Sequence, residues 1–198
     1  MSAVYFANNQ NGTRKRMDTI NHKEIKTNWY VITGGPCTGK TTIVELLAKL
    51  GYVTIAEQAR HYIDTQKIKG RTVEDIRSNR EQFQLDILNL QIGQESTLDV
   101  NKIAFLDRAL PDAMAYYEFL GLKYDNRLVA MCKKFCYQKV FVLDRLPLIN
   151  DYARLEDEDE QIRIHKLIIE VYSRFPCPVV HVPVLPPNER VDFILQNL

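Results

Sequence analysis

Gly34-Gly35-Pro36-Cys37-Thr38-Gly39-Lys40-Thr41 constrains this chain more than any other stretch, because it fits the spacing GxxxxGK[ST]. Gly34 and Gly39 allow positive φ and let backbone N–H groups approach a polyanion with no Cβ in the way. Those amides form an anion nest, to which the following helix adds its positive end. The cradle comprises Gly35, Pro36, Cys37, Thr38, Gly39, Lys40, Thr41 and Thr42. Lys40 is a mobile charge for the β- and γ-phosphates, and the Thr41 hydroxyl is a Mg²⁺ ligand. Trp29-Tyr30-Val31-Ile32-Thr33 before it reads as a buried strand. After it, Ile43, Leu46, Leu47 and Leu50 recur at helical spacing, with Gly51 as the stop. The stretch reads as the binding loop for a nucleoside triphosphate.

At 198 residues the chain is long enough for one domain with a full core. Its formal charge of +1 supports neither a nucleic-acid partner nor a charged membrane surface. No apolar run approaches a membrane span, and the N-terminus lacks the apolar core of a signal peptide, so a cytoplasmic protein is expected. Cys37, Cys132, Cys136 and Cys177 form no CxxC pair and read as reduced thiols, Cys132 and Cys136 four apart on a helix. Residues 1–28 are polar and aperiodic and read as a flexible leader; residues 29–198 are the nucleotide-binding domain.

Downstream, Tyr52 to Ala56 reads as a second strand with Glu57 at its C-terminal end. In parallel α/β sheets ligands sit outside that end. Position alone leaves Glu57 either a functional carboxylate or a dipole partner for the helix Gln58 to Gln66. A long helix is expected from Val73 to Asp99, capped by Thr72 and Asp75 and bent at Gly93. Ile103-Ala104-Phe105-Leu106-Asp107 is a run of hydrophobes ending in an acid, as a Mg²⁺-supporting strand should. Arg108 follows, able to grip a phosphate or simply to pair with a neighbouring acid. Pro111 and Asp112 open the helix that Gly121 closes. After a helix from Asp125 to Phe135, Lys139 to Asp144 repeats the acid-ended run, with Arg145 repeating the arginine. Spacing alone does not choose between Asp107 and Asp144. Arg154 lies in an acidic segment suited to a lid, with Arg163 beyond it on a helix expected from Glu160 to Phe175. A last strand includes His181, as a core or edge residue, and a final helix includes Val191, Ile194 and Leu195.

The order of Thr33–Thr42, Glu57-Gln58-Ala59-Arg60, Asp107-Arg108-Ala109-Leu110-Pro111-Asp112 and Glu189-Arg190-Val191-Asp192-Phe193 resembles the NadR-like group of small P-loop ATPases and kinases. The resemblance runs from Trp29 to the end of the chain. It implies an α/β three-layer P-loop sandwich, its five-stranded parallel sheet ordered 2-3-1-4-5 as in nucleoside and nucleotide kinases. It places Asp107 rather than Asp144 in the metal shell, Glu57 near the acceptor or metal, and Arg108 on the acceptor side.

These readings converge on phosphoryl transfer from ATP to a small, nucleoside-like acceptor, with Lys40, Glu57, Asp107, Arg108 and Arg154 as the catalytic set and Thr41 and Asp107 toward Mg²⁺. A slow ATPase or a nucleotide-gated regulator of a protein partner is the alternative. The GTPase base-reading motif and the ABC signature are both missing from the sequence.

Overall fold

The computed structural model of the chain describes residues 24–146 and 156–198. Its centre is a parallel sheet of β2 (Trp29–Thr33), β3 (Val53–Ile55), β4 (Ala104–Asp107), β6 (Lys139–Leu143) and β7 (Val179–Val182), in the spatial order β3-β4-β2-β6-β7. Counting only these five in chain order, the arrangement is 2-3-1-4-5, as expected. Two further strands, β1 (Ile25–Lys26) and β5 (Phe135–Cys136), form a separate parallel pair. Ile25 and Lys26 fall inside the stretch read as the leader, and Cys136 is on a strand rather than a helix.

The inner strands β2, β4 and β6 are mostly hydrophobic because both faces of the sheet are covered there. Trp29, Val31, Leu106, Val140 and Val142 point into one layer. It is built with α4 (Arg80–Thr97), α5 (Leu110–Leu120), α6 (Asn126–Cys132) and α7 (Glu158–Tyr172). Ile32, Phe105, Phe141 and Leu143 point into the other, against α1 (Lys40–Lys49) and α8 (Pro187–Gln196). Alternate residues of β2, β4 and β6 thus fill opposite layers, the period of two that a strand imposes. A smaller cluster of Ile63, Val73, Ile76 and Phe83 joins α2 (Gln58–Ile68), α3 (Val73–Arg77) and α4 beside the sheet.

The long helix expected from Val73 to Asp99 is two helices. Asn79 accepts from Gln82 N and starts α4 afresh, so Ser78 and Asn79 form a corner rather than a helical turn. The capping pair Thr72–Asp75 is present, with side chain and backbone bonded reciprocally. α4 continues without a break past Gly93. The helix expected from Asp125 to Phe135 stops at Cys132, because the chain turns there to reach β5. His181 sits on the edge strand β7 and is exposed. Among the described residues no helix is long and apolar enough to cross a membrane.

Candidate active site

The loop after β2 runs directly into α1, whose N-cap is Gly39 at φ 82°. Gly34 has φ 135°, and a Cβ there would lie 2.8 Å from the Leu143 carbonyl oxygen, so glycine is required on both counts. Lys40 is buried, and its ammonium donates to Gly34 O at 3.2 Å, Gly35 O at 2.8 Å and Thr38 Oγ1 at 3.2 Å. Burial, then the charge of Arg108, lowers its pKa to about 8, against the raising pull of Asp107, Glu57 and Asp112.

Across the loop, Thr41 Oγ1 lies 3.5 Å from Asp107 Oδ2. Asp107 Oδ1 is buried with no hydrogen-bond partner. A buried carboxylate oxygen without a donor is costly unless something cationic completes it. Burial, then the neighbouring Glu57, pushes the Asp107 carboxyl up to about 7. Two oxygen ligands and an orphaned lone pair suit a hard divalent cation that keeps most of its other ligands from phosphate and water. Asp144 is placed differently. Its carboxylate faces His181 at 3.8 Å, and its carbonyl accepts from Arg190 Nη2 at 3.3 Å.

Arg108 occupies the turn after β4 with φ 70°, uncommon for a residue bearing a Cβ. Its Nε donates to Glu57 Oε1 at 2.9 Å, and its Nη1 to Gly34 O at 3.1 Å and Asp112 Oδ1 at 3.0 Å. Its guanidinium carbon stands 5.4 Å from the centre of the Tyr116 ring. The sequence left Glu57 either functional or a helix-dipole partner and Arg108 either functional or simply paired; the two prove to be each other's partner. Burial alone would raise the Glu57 carboxyl, but the charges of Arg108 and Lys40 outweigh it and hold that carboxyl below its ordinary range.

Three residues at the site were not singled out for a role by sequence reasoning. Asp112 is a hub: it accepts from Arg108, from Ala109 N at 3.0 Å, from Tyr172 OH at 2.6 Å and from the Thr33 hydroxyl. Its signal was an acid three residues into a helix, readable as a cap and no more. Arg190 of α8 is 2% exposed and props the loop from behind, with Nη1 donating to Thr38 O at 2.7 Å and Nε to Pro183 O at 3.0 Å. Its signal was an arginine beside the apolar stripe of Val191 and Ile194. His165 of α7 accepts from Gly35 N at 3.0 Å, and nothing in the sequence marked it. Arg154 lies outside the described residues. Arg163 stacks its guanidinium over Phe119, 5.4 Å from the ring centre.

A cavity of about 730 Å³ opens beside the loop. Pro36, Cys37, Gly39, Lys40, Thr41 and Thr42 form one wall, Glu57, Arg60 and Arg108 another. Ile63, Phe83, Ile87, Leu88 and Tyr116 supply apolar surface, with Gln84 and Gln91 among them. The Gln91 amide nitrogen is committed to Glu95 Oε1 at 2.8 Å.

The profile of a family described as an AAA domain matches residues 29–190, from β2 into α8. The chain belongs to that family. No curated protein matches the sequence. Among solved structures the chain is similar to NadR in complex with NR, with a TM-score of 0.61 and 19% identity, covering 86% of this chain and 51% of that one. It is also similar to the deoxyadenosine kinase of M. mycoides (TM-score 0.58, 18% identity, 85% of this chain and 97% of that one). The thymidylate kinase of Ehrlichia chaffeensis has a TM-score of 0.59 at 14% identity, covering 85% and 96%. The chain thus spans about half the length of NadR and nearly all of the two kinases. At these identities the likeness is one of fold: the family member has the three-layer arrangement of P-loop kinases.

Proposed function

We propose that this AAA-family protein binds ATP with Mg²⁺ and transfers the γ-phosphoryl group to a small, nucleoside-like acceptor. The observation that carries this reading is the cavity of about 730 Å³ with the phosphate loop on one wall and the Glu57–Arg108 pair on the next. Apolar-walled space beyond the loop supports an acceptor bulkier than water. That relatives in fold include a deoxyadenosine kinase, a thymidylate kinase and a NadR with bound NR supports a nucleoside-like acceptor.

In this mechanism the loop amides and Lys40 hold the β- and γ-phosphates, Lys40 trading its bonds to the loop carbonyls for phosphate oxygens. Thr41 and Asp107 would hold Mg²⁺, which when bound screens phosphate charge and helps orient the transferred group. Glu57, held below the ordinary carboxylate range by Arg108, is a poor proton acceptor. Its part is to orient the acceptor hydroxyl through a hydrogen bond. Phosphoryl transfer with a loose transition state asks for positioning and charge stabilisation more than for a strong base. Arg108 Nη2 has no hydrogen bond among the described residues and lines the cavity through its side chain, so it is available to the transferred group.

The test is ADP formation with a panel of nucleosides, ribosylnicotinamide and thymidylate, with mass spectrometry of the product. An acceptor-dependent rise in ADP with a phosphorylated acceptor is expected. Phosphate release at the same rate with no acceptor would assign the protein to the hydrolases. Lys40→Ala should weaken nucleotide binding by at least about tenfold, since a charged hydrogen bond is worth roughly 1.5–3 kcal/mol.

A further inference from the structure

The phosphate loop is gripped from outside the sheet. A Cβ on Gly35 would lie 2.8 Å from His165 Cβ and 3.1 Å from the Gln161 carbonyl oxygen, so α7 packs directly on the loop backbone. At that contact Gly35 N–H donates to His165 Nδ1 at 3.0 Å. The amide that opens the cradle is therefore committed to an imidazole. Gln161 continues the contact: it is 1% exposed, and its Nε2 donates to Glu156 O at 3.0 Å.

A ring nitrogen accepts only when it carries no proton. We propose that His165 is a positioning residue for nucleotide binding: its neutral imidazole fixes Gly35 at the mouth of the cradle, and protonation of the ring releases Gly35 and weakens the grip on the nucleotide. The inference rests on the reading of the loop as a nucleotide site. The charged groups that face the ring are Asp144 and Arg145 at the end of β6, Lys40 on α1 and His181 on β7. Burial, and behind it Arg145, Lys40 and His181, favours the neutral ring against the opposing pull of Asp144. The ring is thus neutral at ordinary pH, and release belongs to the acid side. An imidazolium near phosphates would also attract them; salt weakens that attraction only in part at a half-buried ring, and on this proposal loss of the hydrogen bond outweighs it.

The test uses the full chain and AMP-PNP without magnesium, in about 0.3 M salt, at pH about 8 and about 5.5. His165→Asn keeps an acceptor oxygen close to the Nδ1 position and does not titrate; His165→Leu offers no acceptor. The wild type should lose roughly three- to tenfold more affinity than His165→Asn across that range, and His165→Leu should be weaker by a similar factor already at pH about 8. Without nucleotide, the Gly35 amide resonance should move with the His165 titration and be protected from exchange in the wild type and His165→Asn but not in His165→Leu. Parallel profiles for the wild type and His165→Asn, or wild-type affinity in His165→Leu, overturn the inference while leaving the nucleotide site intact. A wild type that binds no AMP-PNP even when magnesium is added and the salt lowered, while its Gly35 amide stays protected, overturns the nucleotide reading, and the role given to His165 falls with it.

Discussion

Arg108 is the residue at which local strain and electrostatics meet. A left-handed φ on a residue with a Cβ costs on the order of 1–3 kcal/mol when the surroundings impose it. They do impose it here: Arg108 N donates to Ile32 O at 3.0 Å, while the guanidinium bridges Glu57, Gly34 O and Asp112. Without that guanidinium, Glu57, Asp107 and Asp112 would be carboxylates crowded together with Lys40, and Arg60 beside Glu57, left to balance them. Removing one partner of a buried ion pair costs about 3–5 kcal/mol, far more than the pair itself is worth. Arg108→Leu should therefore lower the free energy of unfolding in urea by about that amount. A loss below about 1 kcal/mol would mean that the three carboxylates reach water or protonate at no cost. The step from acid to arginine was legible at Asp107–Arg108, but it was equally legible at Asp144–Arg145. What separates them is lateral position in the sheet: β4 puts Asp107 opposite Thr41, whereas β6 turns Asp144 toward β7 and His181. No spacing along one strand encodes which neighbour that strand will have.

At the scale of elements, α4 and α5 are joined by a buried acid. Glu95 is 1% exposed and accepts from Gln91 Nε2 at 2.8 Å, from Leu110 N at 3.0 Å at the start of α5, and from Tyr137 OH at 2.7 Å. It fixes the cavity wall that Gln91 presents against the turn that holds Arg108. Burial pushes the Glu95 carboxyl up to about 7 despite these donors. The folded state then keeps a proton that the unfolded state releases near pH 4.5, so this group's stabilisation is present in acid and is lost as pH rises toward 7. The slope amounts to on the order of 3 kcal/mol between those limits. Glu95→Gln, which cannot titrate, should flatten that part of the stability profile in urea titrations from pH 4.5 to pH 8. An unchanged slope would place the burden on another group. Sequence periodicity found α4 because its apolar residues face the core, but it merged α3 with α4, since the capping asparagine at position 79 is polar like its neighbours. Glu95 escaped notice for a similar reason: an acid at helical spacing reads as solvated until a second helix is known to lie over it.

At the scale of the molecule, the alternation of five strands with helices was legible from a few strong signals: a glycine loop after the first core strand, hydrophobic runs ending in acids, and helices between; the order of those strands in the sheet came only from the family resemblance. The two small strands were not legible, since a pair of residues has no period to detect and their partnering is across more than a hundred positions. The props behind the loop were equally hidden. Arg190 reaches Thr38 O from α8 and His165 reaches Gly35 N from α7, so each face of the sheet sends one side chain to the cradle. The loop is thereby tied into both layers, and a ligand held by it stabilises the whole fold rather than one corner. Binding to the native state alone adds RT ln(1 + [L]/Kd), about 2.7 kcal/mol at a hundredfold excess over Kd. For a domain of this size each kcal/mol moves the melting midpoint by roughly 2–4 °C. AMP-PNP with magnesium at that excess should raise Tm by about 5–10 °C in one cooperative transition. Lys40→Ala at the same ligand concentration should shift far less, because a tenfold weaker site yields about 1.4 kcal/mol less. Two separate transitions, with only the first responding to nucleotide, would show the loop melting by itself and would contradict its anchoring in both layers.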